Sequence, residues 1–384
     1  MENRIAIVAV GYNRVNSIYR LLESLNSAKY EVDNIPLIIS IDKSDTTVVE
    51  DYADSFQWNH GHKIVDKHET NLGLRDHMMS LRKWFDYYDA LIVLADDIVV
   101  SPLFYFYVQQ CYDRYSMCDD IAGISLYSFS VNYQKYEIFT PLKKEYDVYF
   151  MNCAMSWGQV WMKKQWMDFY KWYLKNQEFT YTDSIPLTLY KWPASSWLKY
   201  HTRYCIETDK YFVYPYVSYS TNYGDIGTHH RQSNTLFQVV IQLGNYKKLI
   251  LPLLEGDSVR YDGFFENKKL YSILGLSEKE CCIDLNGIRN GSGNKRYLLT
   301  TRRLNYKINR MYGVNYRPIE LNVFFGNKGT DIYLYDTNVT IKNNSDSSQI
   351  LLYRFYISSI LFFLRKYGMK SFFREIFNNL RKKI

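Results

Sequence analysis

Leu91-Ile92-Val93-Leu94-Ala95-Asp96-Asp97 is the stretch on which the reading of this chain turns. An unbroken aliphatic run of this length suits a buried strand, and this one stops on two adjacent carboxylates. Two negative charges side by side repel unless a cation or hydrogen-bond donors compensate them. Mg²⁺ and Mn²⁺ supply that compensation, binding through one or two carboxylates while phosphate oxygens complete their shell. The doublet therefore reads as an anchor for a metal-bound diphosphate, although an Asp-Asp pair taken alone is commonly a helix cap or a surface turn.

Upstream the same grammar repeats. Ile5-Ala6-Ile7-Val8-Ala9-Val10 runs into the loop Gly11-Tyr12-Asn13-Arg14, and Ile18, Leu21, Leu22 and Leu25 follow at helical spacing. Leu37-Ile38-Ile39-Ser40-Ile41 predicts a second strand ending at Asp42, and Lys63-Ile64-Val65 a weaker third. Asn71-Leu72-Gly73-Leu74-Arg75 leads into a helix with Met78, Leu81, Phe85 and Tyr88 on one face. Short strands alternating with amphipathic helices up to about residue 125 predict an α/β fold with a mainly parallel sheet flanked by helices. In such sheets ligands gather outside the carboxyl ends of the strands. Gly11 to Arg14, Asp42 and Asp96-Asp97 all fall at such ends, while each singly could be an ordinary turn.

With 384 residues, 47% of them hydrophobic, the chain can bury one large core or two moderate ones. The expected division is a main domain over 1–234, a smaller accessory region over 235–345 marked by Asn-, Lys- and Gly-rich turns, and basic amphipathic helices over 346–384. The six cysteines show no C-x-x-C pair and no zinc or disulfide spacing, and read as reduced thiols of a cytosolic protein. Met1-Glu2-Asn3-Arg4 runs straight into Ile5 to Val10, too short for a secretory signal, so a cytoplasmic location is expected. The 38 tyrosines and 8 tryptophans offer flat faces for bases and sugar rings as well as core volume.

The formal charge of +7 matters through its placement. In the last segment Ile357, Ile360, Leu361, Leu364, Met369, Phe373, Ile376, Phe377 and Leu380 interleave with Arg365, Lys366, Lys370, Arg374, Arg381, Lys382 and Lys383. Its longest apolar run is well short of the roughly 20 residues that span a bilayer. A basic helix pair lying on an anionic membrane surface fits, against the plainer reading of a packed terminal helix with a solvated charged face. Nucleic acid is the least favoured partner, because the α/β portion is rich in acids and the basic residues concentrate in the tail.

Ile5 to Arg14, Asn71 to Arg75 and Leu94-Ala95-Asp96-Asp97 together resemble the nucleotide-binding half of the GT-A glycosyltransferases. The resemblance is to bacterial family 2 enzymes of surface polysaccharide synthesis and, more distantly, to the N-acetylglucosaminyltransferase that starts complex N-glycans. Ser156-Trp157-Gly158 with Trp161 and Trp166 is similar to the family's Trp-Gly-Trp-Ala-Thr-Trp signature, and Asn222-Tyr223-Gly224 with His229 to its Asn-Ile-Gly segment and following Thr-His. The resemblance spans about residues 4 to 232. It implies a GT-A, Rossmann-like fold and transfer of a sugar from a nucleotide-diphosphate sugar, UDP-sugar favoured, with Mn²⁺ or Mg²⁺. The implied acceptor is a saccharide or lipid-linked saccharide of capsule, O-antigen or exopolysaccharide synthesis at the inner face of the cell membrane, with inversion at the anomeric carbon. By position it implies that Gly11, Tyr12, Asn13 and Arg14 border the nucleotide and that Asp42 contacts base or ribose. Asn71, Gly73 and Arg75 would take part in donor binding, with Arg75 near the diphosphate. Asp96 and Asp97 would hold the metal, Asp97 directly, and His229 would add a ligand or a phosphate contact. Trp157 and Gly158 suit a sugar-facing loop, since an indole packs on the apolar face of a pyranose and glycine lets the backbone approach; core packing is the rival for Trp157.

One position departs from the pattern. Counted back from Asn222-Tyr223-Gly224, the residue after Trp197, where relatives carry an Asp, is Leu198, which cannot accept a proton. Either the alignment slips there, or another carboxylate such as Glu207, Asp209 or Asp183 serves as the general base, or the chemistry differs from the family's usual inversion; each of the three acids has a plain alternative as a surface residue. Two other classes compete. A sugar nucleotidyltransferase is expected to carry a Gly-rich phosphate loop after its first strand, and Gly11-Tyr12-Asn13-Arg14 has one glycine. A non-catalytic glycan- or membrane-binding protein has no need of Asp96-Asp97.

Overall fold

The computed structural model describes residues 4–225 and 235–342 and, further on, residues 360, 361, 364–366, 368–371, 373 and 374. The first half runs β1 (Ile5–Gly11), α1 (Val15–Asn26), β2 (Leu37–Ile41), α2 (Val48–Ser55), β3 (Lys63–Lys67), α3 (Gly73–Ser80), a 3-10 turn over Leu81–Asp86, β4 (Ala90–Ala95), β5 (Ile98–Val100), α4 (Phe104–Tyr115) and β6 (Ile121–Ser125). Then come β7 (Val131–Asn132), β8 (Glu137–Ile138), β9 (Val148–Met151), β10 (Gln159–Met162), α5 (Lys163–Lys175), α6 (Leu187–Lys191), α7 (Trp197–Glu207), β11 (Tyr211–Pro215), β12 (Ser220–Asn222) and β13 (Arg260–Tyr261). The remainder is α8 (Lys269–Leu274), β14 (Cys281–Asp284), β15 (Tyr297–Thr300), β16 (Tyr306–Tyr312), α9 (Leu321–Phe324) and β17 (Ile332–Thr340).

One sheet of nine strands, in the order β13-β9-β11-β6-β10-β4-β1-β2-β3, organises the protein. β4, β1, β2 and β3 are parallel neighbours, and β11 is parallel to β6. β10 lies antiparallel between β4 and β6, so that β6 and β11 point the same way as β4. The fold is therefore mixed α/β with a mainly parallel sheet flanked by helices, as the alternation of strand and helix patterns predicts.

Period-two geometry sorts the aliphatic runs onto two faces. Ile5, Ile7 and Ala9 of β1 and Ala90, Ile92 and Leu94 of β4 join a core with Ile18, Leu21, Leu22 and Leu25 of α1 and Tyr105, Tyr107 and Val108 of α4. Ala6, Val8 and Val10 of β1 and Leu91 and Val93 of β4 face a second core built from Met78 and Met79 of α3, Trp166 and Phe169 of α5 and Trp197, Leu198 and Tyr204 of α7. Both faces being covered is what demands strands without polar alternation. Met78, Leu81, Phe85 and Tyr88 share the second core as expected, but across a helix that tightens into the 3-10 turn after Ser80.

Beyond residue 234 the chain stays with this sheet, where Arg260–Tyr261 pairs parallel to β9. A four-stranded sheet in the order β14-β15-β17-β16 then packs with α8 and α9 on a small core of its own, including Leu270, Ile283, Leu299, Val323 and Leu334. Residues up to 302 and 307–339 form one compact unit; 303–306 and the residues from 340 onward form a second. In the second unit the described residues from 360 to 374 are helical, with Ile360, Leu361, Met369 and Phe373 exposed. No helix among the described residues is long and apolar enough to cross a membrane. Ile357, Ile376, Phe377, Leu380, Arg381, Lys382 and Lys383 of the expected tail lie outside the described residues.

Within the second core, His201 is fully buried among Trp166, Phe169 and Phe212, and neither ring nitrogen has a hydrogen-bond partner among the described residues. Burial lowers its pKa to about 3. The unfolded chain takes up this proton near pH 6.5, so the stability it contributes is complete above that pH and is lost as the pH falls towards 3. His201→Phe should remove this part of the pH dependence, about 2 kcal/mol at pH 5. Urea midpoints of both proteins at pH 7 and pH 5 measure it, and parallel pH slopes would contradict the assignment.

Candidate functional site

Register brings three strand ends to one edge. Gly11 pairs with Ile41 and Val10 with Ala95, and the amide of Asp42 donates to the Gly11 carbonyl at 3.0 Å. Asp96 is buried and Asp97 partly exposed at the end of β4. Arg14, at the entrance of α1, turns its guanidinium onto this doublet. Its Nε donates to Asp96 Oδ2 at 3.1 Å, its Nη2 bonds Asp96 Oδ1, and the same Nη2 lies 3.7 Å from Asp97 Oδ2. Burial pushes the Asp96 carboxyl up to about 6 while the hydrogen bond and charge of Arg14 pull it down, so the buried acid is ionised at neutral pH with a resident cation beside it.

A second strand pair begins beside the doublet. β5 leaves Asp97 directly and pairs antiparallel with β12, and the pairing continues as the amide of Tyr223 donates to the Asp97 carbonyl at 2.7 Å. The Asn222-Tyr223-Gly224 segment thus sits against Asp96-Asp97, across more than a hundred residues of chain. Asp225 accepts the Ser17 hydroxyl at 2.7 Å and pairs with Arg20, whose guanidinium lies 3.8 Å over the Tyr223 ring, which binds this segment to α1. Sequence reasoning left Ser17, Arg20 and Asp225 unassigned; Arg20 and Asp225 are 205 positions apart, and no local pattern announces their pairing.

The Trp157-Gly158 loop abuts the same strand. The Ser220 hydroxyl donates to the Trp157 carbonyl at 2.6 Å. Gly158 has φ +96°, and a Cβ there would stand 2.9 Å from the Ser220 oxygen, so the position requires glycine. The Trp157 indole is half-buried between Tyr127 and Phe237. Tyr12 and Asn13 are exposed beyond the end of β1.

Other expected residues lie elsewhere or are otherwise engaged. Asp42 is buried and its carboxylate accepts three backbone amides, from Lys43 at 3.0 Å, Leu72 at 2.8 Å and Gly73 at 2.9 Å. It fastens the end of β2 to the start of α3, where Gly73 takes φ +72°. Asn71 donates to the Lys43 carbonyl at 2.7 Å. Arg75 bonds Asp76 and, at 3.1 Å, the Ala194 carbonyl, and it lines an open groove of about 430 Å³ with Arg82, Tyr170 and Tyr173. Leu198 is buried in the second core.

Glu207 and Asp209 precede β11, whose first residue pairs with Ile121 at the start of β6, so they lie at the amino edge of the parallel strands, opposite the doublet. Glu207 is paired with Arg203 and Asp209 with Lys268. The structure does not bring these two base candidates to the edge where the doublet lies, because the chain at the end of α7 leads into the start of β11. Asp183 is exposed on the loop before α6, bonded to the Tyr181 hydroxyl. His229 lies outside the described residues.

Among the described residues no cluster of three or more His, Cys, Asp or Glu could hold a metal ion. The doublet supplies two hard oxygen donors, and Asn222, the register partner of Ile98, has a buried Oδ1 without a hydrogen-bond partner among the described residues. The two carboxylates are donors of the kind that Mg²⁺ and Mn²⁺ take, completing their shells with water and phosphate oxygens.

No protein-family model matches the sequence, and comparison with curated proteins gives no match. Among solved structures, the chain is similar to TarS 1-349 of S. aureus, with 14% identity and a TM-score of 0.37 over 57% of this chain and 60% of that one. The same protein in complex with UDP-GlcNAc gives 13% identity and a TM-score of 0.36 over 57% and 58%. The mannosyltransferase PcManGT from Pyrobaculum calidifontis, in complex with GDP-Man and Mn²⁺, gives 9% identity and a TM-score of 0.35 over 56% and 58%. The chain thus spans about three fifths of the length of these structures, and the functional reading rests on the site itself.

The roles of the two strand-end acids can be separated by mutation. Asp42→Ala should cost about 1–2 kcal/mol of stability by stripping the start of α3 of its acceptor, read as a lowered urea midpoint. A midpoint equal to that of the wild type would remove the fastening role.

Proposed function

We propose that this protein is a glycosyltransferase that takes its sugar from a nucleotide-diphosphate donor bound at the carboxyl edge of the sheet. The observation that carries this reading is the Asp96-Asp97 doublet, held at the end of a buried strand against Arg14 and beside the β5–β12 pair. Two acids and a guanidinium converging at a strand end suit a pyrophosphate bridged by a cation better than they suit any neutral ligand.

The reaction breaks an anomeric C–O bond through a transition state with oxocarbenium character, and negative charge grows on the departing diphosphate. A divalent ion at the doublet would serve as Lewis acid and template for that leaving group. Asp97, the more accessible acid, would be its direct ligand, and Asp96 would fix the orientation of the pair. Arg14 places a positive charge where the leaving oxygens need it. Gly158 holds the Trp157 loop close to β12, leaving the indole edge to border the sugar.

The wider reading follows the resemblance: a UDP-sugar donor, inversion, and a saccharide or lipid-linked acceptor of capsule, O-antigen or exopolysaccharide synthesis. The basic tail would hold the enzyme peripherally on the anionic inner face of the cell membrane. Exposed Ile360, Leu361, Met369 and Phe373 alongside Arg365, Lys366, Lys370 and Arg374 support that placement.

A thermal-shift screen against UDP-, GDP- and dTDP-sugars with Mn²⁺ should show one nucleotide raising the melting temperature, since a ligand bound only by the folded state stabilises it. Asp97→Ala should keep the fold and lose donor turnover by about 100-fold or more. Absence of any shift, or full turnover in Asp97→Ala, would sink the assignment.

A further inference from the structure

We propose that Arg14 is the resident counter-ion of the acidic doublet, and that a divalent cation bound through Asp97 drives it off Asp96, which makes metal and nucleotide diphosphate bind as a unit. The inference rests on the functional reading above and adds to it an order of events.

Both oxygens of Asp96 are taken by Arg14, one by Nε at 3.1 Å and the other by Nη2, while Nη2 also stands 3.7 Å from Asp97. The guanidinium therefore lies across the doublet. A Mg²⁺ or Mn²⁺ ion about 2 Å from an Asp97 oxygen would be a near neighbour of Nη2, which is 3.7 Å from Asp97 Oδ2. Two cations that close, beside a buried acid, repel strongly because little water screens them.

Arg14 is also built to move without disturbing the fold. Its carbonyl accepts the amides of Ser17 and Ile18, each at 3.1 Å, so its main chain is fixed as the first turn of α1. The side chain caps nothing in that helix and remains about a quarter exposed. Leaving Asp96 strands a guanidinium, which favours departure only when another anion is at hand. A pyrophosphate offers the same two-pronged acceptor that Asp96 gave. Metal on the doublet and diphosphate on Arg14 then favour one another, a positive coupling that is equal in both directions.

The chain with Arg14 removed should therefore bind metal better on its own, the opposite of what loss of a simple donor contact gives. Free Mn²⁺ followed by electron paramagnetic resonance in titrations of the full chain reads this directly. For the wild type, Mn²⁺ should bind weakly alone and about tenfold or more tightly with UDP or GDP present. For Arg14→Gln, Mn²⁺ alone should bind about tenfold more tightly than to the wild type, with little further gain from the nucleotide. Arg14→Lys keeps the charge without the fork and should fall between, and melting curves of both variants verify folding.

Mn²⁺ affinity of Arg14→Gln equal to or weaker than that of the wild type, with coupling to nucleotide intact, would overturn the inference and leave the proposed function standing. A wild type that binds Mn²⁺ with none of UDP, GDP or dTDP would bring down both.

Discussion

A buried strand that ends in two carboxylates poses an electrostatic problem, and much of the architecture at the carboxyl edge answers it. β4 is covered on both faces, so Asp96 emerges still inside the protein, where an uncompensated charge is expensive. The compensating cation comes from the neighbouring strand: β1 ends one residue beyond the register of Ala95, and the turn into α1 places Arg14 beside the doublet. α1 in turn is held by its aliphatic stripe below and by the Arg20–Asp225 pair above. The position of one guanidinium thus depends on sheet register, helix packing and a long-range ion pair together.

Asp42 and Asp96 show how two acids at adjacent strand ends take on different capacities. Three backbone amides satisfy Asp42, and amides at the start of a helix cannot leave without unwinding it. Asp96 is satisfied by a side chain on rotatable bonds. The first arrangement fixes a loop; the second can be exchanged for another cation. That contrast, rather than the bare presence of an acid, distinguishes the end of β4 from the end of β2.

The sequence made the fold legible wherever burial on both faces leaves a continuous aliphatic run. β1, β2 and β4 lie where Ile5 to Val10, Leu37 to Ile41 and Leu91 to Leu94 predict, since nothing but a covered strand accounts for them. The antiparallel β10 was hidden inside a motif of tryptophans, and Trp161 and Trp166 turn out to be stacked core residues 3.6 Å apart. Acids near α7 looked equivalent in sequence, yet Glu207 and Asp209 stand just ahead of β11, at the far edge. Leu198 is explained by the same helix, because its position faces the aromatic core. Arg75 points to Ala194 through a fold contact across 119 positions, which no local pattern encodes.

The aromatic content also divides once the packing is known. Tyr105, Tyr107, Tyr115, Tyr149, Trp161 and Trp166 are fully buried, so much of the 17% aromatic composition is spent on filling a wide sheet's two cores. Tyr12, Trp157 and Tyr223 differ, since each keeps part of its ring accessible at the edge where Asp97 emerges. Tyr223 is fixed from one side by Arg20, and Trp157 by Tyr127 and Phe237. Rings held on one side and open on the other are poor core and good platforms, because their orientation is set before any ligand arrives and little entropy is lost on stacking.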